Sequence, residues 1–178
     1  MKAIRPLAVM AAILVPSVVT ASAEGDRASD RKVQTRYAQE TSMMSAAAFV
    51  DRQNDFRAHG CKNRWPEIGS PRDKPTWFGC DKPPPYNWFD WTDDGCSKTP
   101  PPAMWVFRSA CRQHDFGYRN FGKGLTLERT EERRAWIDAR FLAEMYRICS
   151  GFGASTGTCR AEARVMWSAV RRFNDWRD

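Results

Sequence analysis

The sequence predicts a mainly α-helical domain with two antiparallel central helices, flanking helices and a disulfide-linked loop region rich in proline and tryptophan. Three observations predict this fold. Apolar residues recur every three or four positions in several long segments, which is typical of helices. All prolines except Pro6 and Pro16 lie between Pro66 and Pro102, where helices are therefore disfavoured. The link between the two central helical patterns is short and contains glycine, which favours antiparallel neighbours.

The first 23 residues predict a secretory signal peptide. A basic start precedes an apolar stretch from Leu7 to Val19, and Ala21-Ser22-Ala23 forms a small-x-small cleavage site. A membrane anchor is the alternative, but no apolar run reaches the ~18 residues of a membrane-spanning helix. After cleavage, residues 24–36 are expected to form a flexible polar arm ahead of a single domain, residues 37–178.

The domain begins with a predicted helix from Tyr37 to Phe56, which no glycine or proline interrupts. Residues 61–88 follow as a predicted disulfide-looped insertion made of loop, turn and short extended pieces. Several tryptophans lie in or near it: Trp65, Trp77, Trp88, Trp91 and Trp105. They either line a lipid-docking rim or pack in a core, since both roles are common for tryptophan.

Helical spacing returns from Phe107 to Phe121, which predicts the first central helix. Thr130 is a suitable N-cap for the second, which runs to about Cys149. A last helix from about Ala161 to Trp176 is expected to bury five residues: Val165, Met166, Ala169, Val170 and Phe173.

The six cysteines predict a disulfide framework, because a secreted chain meets an oxidising environment. They are Cys61, Cys80, Cys96, Cys111, Cys149 and Cys159. Six cysteines allow ~15 pairings, of which sequential pairing (61–80, 96–111 and 149–159) is the simplest. A zinc site is disfavoured because there is no Cys-x-x-Cys pair, and the two histidines exclude a three-imidazole site.

His114 and Asp138 carry the predicted chemistry. Each lies on the inward stripe of its central helix, where an unpaired carboxylate would be costly. A His–Asp pair across the interface would fix the imidazole tautomer and leave the other ring nitrogen able to take a proton from water. Tyr118, one turn after His114, can donate its hydroxyl to the same carboxylate. A hydrogen-bonded core pair without catalysis is the alternative.

An acidic loop before Cys96 predicts a metal site. If Cys96 bonds Cys111, their Cα atoms lie ~5.5 Å apart, and Asp115 is one helical turn further along. Asp94 and the carbonyl of Gly95 would then approach Asp115, and such oxygen ligands, completed by water, suit Ca²⁺. The cation would polarise an ester carbonyl beside the water-activating pair. Ordinary turn residues are the alternative interpretation.

Three segments resemble the small secreted prokaryotic and fungal phospholipase A2 family: FDWTDDGC at 89–96, ACRQHDFGYRN at 110–120 and IDARF at 137–141. The resemblance covers about residues 87–173, and residues 61–88 exceed the family's minimal pattern. It implies a phospholipase A2-like helical fold and a calcium-dependent hydrolase of the sn-2 ester of glycerophospholipids. Its substrate would be a phospholipid membrane or micelle surface.

The resemblance also implies a role for each site residue. The catalytic set would be the general base His114, its orienting partner Asp138 and the supporting hydroxyl of Tyr118. The calcium ligands would be the carboxylates of Asp94 and Asp115 and the backbone carbonyl of Gly95. Some family members have a bulkier apolar residue at the position of Gly95. The pairs 96–111 and 149–159 match the family's two disulfides.

The charge of the chain is a weaker indicator of function. A net charge of +7 favours anionic surfaces as partners, but the pairs Arg133-Arg134 and Arg171-Arg172 are interpreted mainly as helix-surface charges. Two alternatives stay open: a lipid-binding protein that keeps the scaffold without turnover, and a basic secreted nuclease. No aromatic–basic ladder supports nucleic-acid binding, so we expect that the chain does not bind nucleic acid. We also expect it to be a secreted monomer.

Overall fold

The computed structural model describes residues 20–58, 62–63, 77–78, 89–97, 99–173 and 176. Its α-helices are α1 (Thr20–Met43), α2 (Ala46–Ala58), α3 (Ala103–Val106), α4 (Arg108–Gly117), α5 (Glu131–Cys149) and α6 (Thr156–Phe173). A π-helical turn (Tyr118–Lys123) continues α4, and a 3₁₀ segment (Ser150–Ser155) links α5 to α6. Two antiparallel strands, β1 (Lys62–Asn63) and β2 (Trp77–Phe78), lie between α2 and α3. The predicted mainly α fold is confirmed.

The predicted helix over residues 37–56 is wrong in one respect, because the chain breaks into α1 and α2 around Ser45. Ser45 Oγ caps α2 by accepting a hydrogen bond from a backbone amide of its first turn, at 3.2 Å. The buried carboxylate of Glu144 accepts from the first amide of α2 at 2.9 Å, and Gln113 donates to the carbonyl of Met44 at 2.7 Å. The break is therefore stabilised by distant residues that local periodicity does not reveal.

Residues 24–36, predicted as a polar arm, lie within α1. Arg31 joins this helix to a later loop by donating hydrogen bonds to the carbonyl of Thr126 and, at 3.2 Å, to that of Leu127. The helix begins at Thr20, upstream of the predicted cleavage site. The rest of the predicted signal peptide lies outside the described residues.

The central pair is α4 and α5. Gly117 contacts Ile137, and the rings of His114 and Phe141 have centroids 4.6 Å apart, so the two helices run antiparallel as predicted. A Cβ added at Gly117 would lie 2.8 Å from Cγ2 of Ile137, which is too close. The missing side chain of Gly117 therefore allows the close approach of the two helices. Thr130 caps α5 by accepting from the third amide of the helix at 3.1 Å.

The last helix, α6, differs from the prediction in its start and in its buried face. It begins at Thr156 and packs Cys159 and Ala163 inward against α5. Of the five residues predicted to be buried, Met166 and Val170 are partly buried against the core. Ala169 is exposed, and Val165 and Phe173 are each 71% exposed. The Cys149–Cys159 disulfide holds Cys159 against α5, and the buried residues of α6 lie on the side of the helix that carries Cys159 and Ala163.

Two of the predicted disulfides are formed, Cys96–Cys111 and Cys149–Cys159, each with Cα atoms 5.5 Å apart. The predicted pair Cys61–Cys80 lies outside the described residues, as does most of the insertion around it. Of the tryptophans whose role was open, Trp91 packs in the core and Trp105 is 66% exposed. No helix in the described part of the chain is long and apolar enough to span a membrane.

Candidate active site

His114 and Asp138 meet across the interface of α4 and α5. Nε2 of His114 lies 2.8 Å from Oδ1 of Asp138. His114 is buried and Asp138 is 0% exposed. Because an ionised carboxylate only accepts hydrogen bonds, Nε2 carries the proton and donates it to Asp138. In this tautomer Nδ1, on the opposite edge of the ring, has the lone pair that can accept a proton.

Both oxygens of Asp138 are hydrogen bonded. Tyr118, on the π-helical turn, donates its hydroxyl to Oδ1 at 2.9 Å. Burial, followed by the charge of Asp138, raises the pKa of Tyr118, which keeps its hydroxyl protonated as a donor. Arg171 Nη1 donates to Oδ2 at 2.9 Å from α6. The His–Asp–Tyr set predicted from the sequence is therefore brought together, with an arginine added.

Arg171 was missed, because its neighbour Arg172 made the pair look like ordinary surface charge. One signal in the sequence could have identified it. Ala163, Trp167 and Arg171 follow at four-residue steps, which places them on one helical stripe, and this stripe packs towards α5. A buried carboxylate such as Asp138 also requires a compensating charge.

The acidic loop lies against α4 at Asp115. The backbone amides of Asp94 and Gly95 donate to Oδ2 of Asp115 at 3.1 and 3.0 Å. Gly95 has a φ of +61°, a left-handed conformation that favours glycine at this turn. The adjacent Cys96–Cys111 disulfide ties the loop to α4. The three predicted calcium-ligand residues therefore lie together.

The loop brings the carboxylates of Asp94 and Asp115 close together, and Arg119 Nη2 lies 4.0 Å from Oδ1 of Asp94. Burial first, and then the negative charge of Asp94, raises the pKa of Asp115 to about 8. In the part of the chain that is described, no cluster of three or more His, Cys, Asp and Glu side chains could hold a metal ion. A site here would need the Gly95 carbonyl and water besides the two carboxylates. Such an all-oxygen donor set fits Ca²⁺.

Comparison with known proteins gives the same family as the sequence motifs. A profile of the family described as prokaryotic phospholipase A2 matches residues 72–174. The chain belongs to this family. Two fungal proteins named "Secretory phospholipase A2" are similar to the chain, one from Arthroderma benhamiae and one from Beauveria bassiana. The first is 37% identical over 92 residues and the second 36% over 85 residues.

These matches cover only part of each protein. They span 48% and 47% of this chain, and 60% and 43% of the Arthroderma and Beauveria proteins respectively. The predicted extracellular location of this phospholipase A2 family member agrees with the two disulfides among its described residues, because disulfides persist in oxidising compartments.

Asp93 supports the loop in this phospholipase A2 family member. Its Oδ2 accepts from Arg57 Nη2 at 2.8 Å and from Gln53 Nε2 at 2.9 Å, both on α2. Arg112 Nε on α4 lies 3.5 Å from the same oxygen. Asp93 therefore links the loop to two helices, a role that sequence reasoning missed because α2 is far away in the chain.

Proposed function

We propose that the chain is a secreted, calcium-dependent phospholipase A2 that hydrolyses the sn-2 acyl ester of glycerophospholipids. The observation that carries the proposal is the buried 2.8 Å contact between His114 Nε2 and Asp138 Oδ1. His114 is next in sequence to Asp115, whose carboxylate accepts a hydrogen bond from the acidic loop. Membership of the phospholipase A2 family supports the choice of substrate class. The predicted signal peptide, residues 1–23, and a monomeric state belong to the same proposal.

His114 would act as the general base. Its Nδ1 takes a proton from a water molecule, whose oxygen attacks the ester carbonyl carbon. Asp138 accepts the Nε2 proton in a hydrogen bond and stabilises the positive charge that develops on the imidazole. Tyr118 holds the carboxylate in the same orientation. The proton held at Nδ1 can then pass to the leaving alkoxide, which completes hydrolysis.

Asp94, Gly95 and Asp115 would hold the calcium ion. When bound, Ca²⁺ supplies positive charge where the carbonyl oxygen becomes negative. The backbone amides of Asp94 and Gly95 both donate to Oδ2 of Asp115, and this close approach of the loop to the carboxylate supports a cation shared between them. The Cys96–Cys111 disulfide keeps the loop with Asp94 and Gly95 beside α4, which carries both Asp115 and His114.

The decisive assay measures fatty-acid release from micelles of a phospholipid labelled at the sn-2 chain. We expect release by the wild-type chain in Ca²⁺, and loss of release in EDTA and in His114→Ala. His59→Ala is the matched control, since it replaces the other histidine in the sequence, and it should keep its activity.

The outcomes separate three interpretations. Release that persists in EDTA or in His114→Ala would contradict the mechanism. Vesicle binding without fatty-acid release by the wild-type chain would favour the non-catalytic alternative. Release of the unlabelled sn-1 chain, with the sn-2 label retained on the lysophospholipid, would contradict the proposed position of cleavage.

A further inference from the structure

Arg171 reaches Asp138 from the far end of α6. Its Nη1 donates to Asp138 Oδ2 at 2.9 Å, and its Nη2 donates to Glu131 Oε1 at 2.6 Å. The guanidinium therefore bridges two carboxylates on α5, one in the His–Asp pair and one at the start of the helix. Its planar fork fixes the directions of both bonds, which a lysine ammonium would not do.

Glu131 holds Arg171 in place. Its carboxylate also accepts two hydrogen bonds from Arg134, at 2.7 and 2.9 Å, and these bonds, followed by that of Arg171, lower the pKa of Glu131 to about 2. Arg134 Nη1 lies 4.0 Å from Asp138 Oδ2 and donates to the backbone carbonyl of Arg171 at 3.4 Å. The bridging arginine is thus fixed at its side chain and at its backbone.

Asp138 needs this partner for two reasons. A fully buried carboxylate is costly unless its charge is paired and its oxygens are hydrogen bonded. His114 and Tyr118 both donate to Oδ1, so Arg171 provides the bond to Oδ2. Without the bond from Arg171, the Asp138 carboxylate could rotate about its Cβ–Cγ bond. The His114 imidazole, which is hydrogen bonded to that carboxylate, would then change its orientation too.

We propose that Arg171 is a positioning residue for catalysis, which holds the Asp138 carboxylate in the orientation that aligns His114. The inference rests on the proposed function, and it assigns a role to a residue on a helix outside the His–Asp interface. Glu131 acts one step further away, by orienting Arg171.

The first test is the kinetics of Arg171→Gln on zwitterionic phospholipid micelles with saturating Ca²⁺. We expect kcat to fall between about 10-fold and 100-fold, the range for a misaligned catalytic group, while KM stays within about 2-fold. Arg171→Lys should recover part of the loss, because it restores the charge without the fork. Arg172→Gln is the matched control: it removes the same charge at the exposed neighbouring position and should keep kcat.

The second test does not depend on turnover. Proton NMR of the wild-type chain should show the Nε2 proton of His114 shifted downfield by its hydrogen bond to Asp138. In Arg171→Gln this resonance should move or disappear through exchange with water, while Arg172→Gln leaves it unchanged. Thermal unfolding of each variant shows whether the fold is intact.

The results distinguish failure of the inference from failure of the function. If the wild-type chain releases fatty acid through His114 but Arg171→Gln keeps full kcat and the Nε2 resonance, Arg171 has no positioning role. If Arg171→Gln loses activity only in proportion to its unfolded fraction, the arginine is structural and the inference is also wrong. If the wild-type chain releases no fatty acid, the proposed function fails, and the resonance alone tests the orientation of Asp138.

Discussion

Tyr118 combines a proposed role in the active site with a role in packing. Its hydroxyl donates to Asp138, while its ring lies between those of His114 and Trp176, with centroid distances of 4.5 and 5.0 Å. The substitution Tyr118→Phe separates these roles, because it removes the hydroxyl and keeps the ring.

We expect Tyr118→Phe to be folded and less active. Loss of a hydrogen bond to a charged group should lower the free energy of unfolding by about 1.5–3 kcal/mol. Activity should fall far less than in His114→Ala, since His114 and Arg171 still hold the carboxylate. Urea unfolding and kcat measured in parallel check this expectation. Activity as low as that of His114→Ala would mean that the hydroxyl also contacts the substrate or the attacking water.

Asp93 supports the proposed calcium loop and is not one of the proposed ligands. Its carboxylate is shared by Gln53, Arg57 and Arg112. Asp93→Asn would remove the charge from this cluster and leave the partly buried Arg112 without its main ionic partner, which would loosen the loop.

We therefore expect Asp93→Asn to weaken calcium affinity by about 10-fold, the lower part of the range for outer-shell substitutions. Asp51→Asn makes the same charge change at an exposed position of α2 and should leave the affinity unchanged. Calorimetric titration of each variant with Ca²⁺ measures the effect. Loss of binding as complete as in Asp94→Asn would contradict a supporting role and indicate that Asp93 is a ligand.

At the scale of elements, the close approach of α4 and α5 sets the distance between His114 and Asp138. Gly117 allows it, because any Cβ there would lie 2.8 Å from Ile137 Cγ2. The helices would have to separate to accommodate a methyl group, and the 2.8 Å bond between His114 and Asp138 would lengthen.

Gly117→Ala should consequently lower the unfolding free energy by about 1–3 kcal/mol, the usual effect of overpacking, and reduce kcat. Gly151→Ala is the control, since nothing lies within 4 Å of an added Cβ there. The double variant Gly117→Ala/Ile137→Ala should recover part of the lost activity, which a double-mutant cycle measures. Independent, additive effects of the two substitutions would show that the contact does not limit the helix approach.

Elements whose cause is local could be predicted from the sequence, whereas contacts between distant elements could not. The Thr130 cap and the apolar stripe around His114 depend on spacing within a few residues, and they formed as predicted. The break at Ser45 and the bond from Arg171 to Asp138 depend on residues far apart in the chain. The buried face of α6 was predicted only in part: Met166 and Val170 pack against the core, whereas Val165 and Phe173 are exposed beside the stripe that carries Cys159 and Ala163.

At the scale of the whole molecule, residues near the C-terminus pack against the candidate active site. The Cys149–Cys159 disulfide joins α5 and α6 at one end, and Arg171 joins them at the other. Beyond α6, Trp176 packs on Tyr118 in the core cluster that also contains Phe116 and Ile137. Both Asp138 and Tyr118 are thus held by residues from the last part of the described chain.

Trp176 lies further along the sequence than Arg171. Its Nε1 donates to the carbonyl of Thr130 at 3.0 Å, next to the first residue of α5. A Cβ at Gly122 would overlap its indole ring, so the π-helical turn leaves a space that this ring fills. Removing the ring would open a cavity beside Tyr118.

Trp176→Ala should therefore lower the unfolding free energy by about 3–5 kcal/mol, as for other buried aromatic truncations, and reduce kcat because Tyr118 loses its packing partner. Trp176→Phe keeps an aromatic ring but not the hydrogen bond to Thr130, so its free energy of unfolding should fall by only about 1 kcal/mol. Most of its activity should remain. Urea unfolding and fatty-acid release at a temperature where both variants are folded measure the two effects. If Trp176→Ala is as stable and active as the wild-type chain, the contact between Trp176 and Tyr118 does not support the candidate active site. Support from the last part of the described chain would then come from α6, through the bond between Arg171 and Asp138.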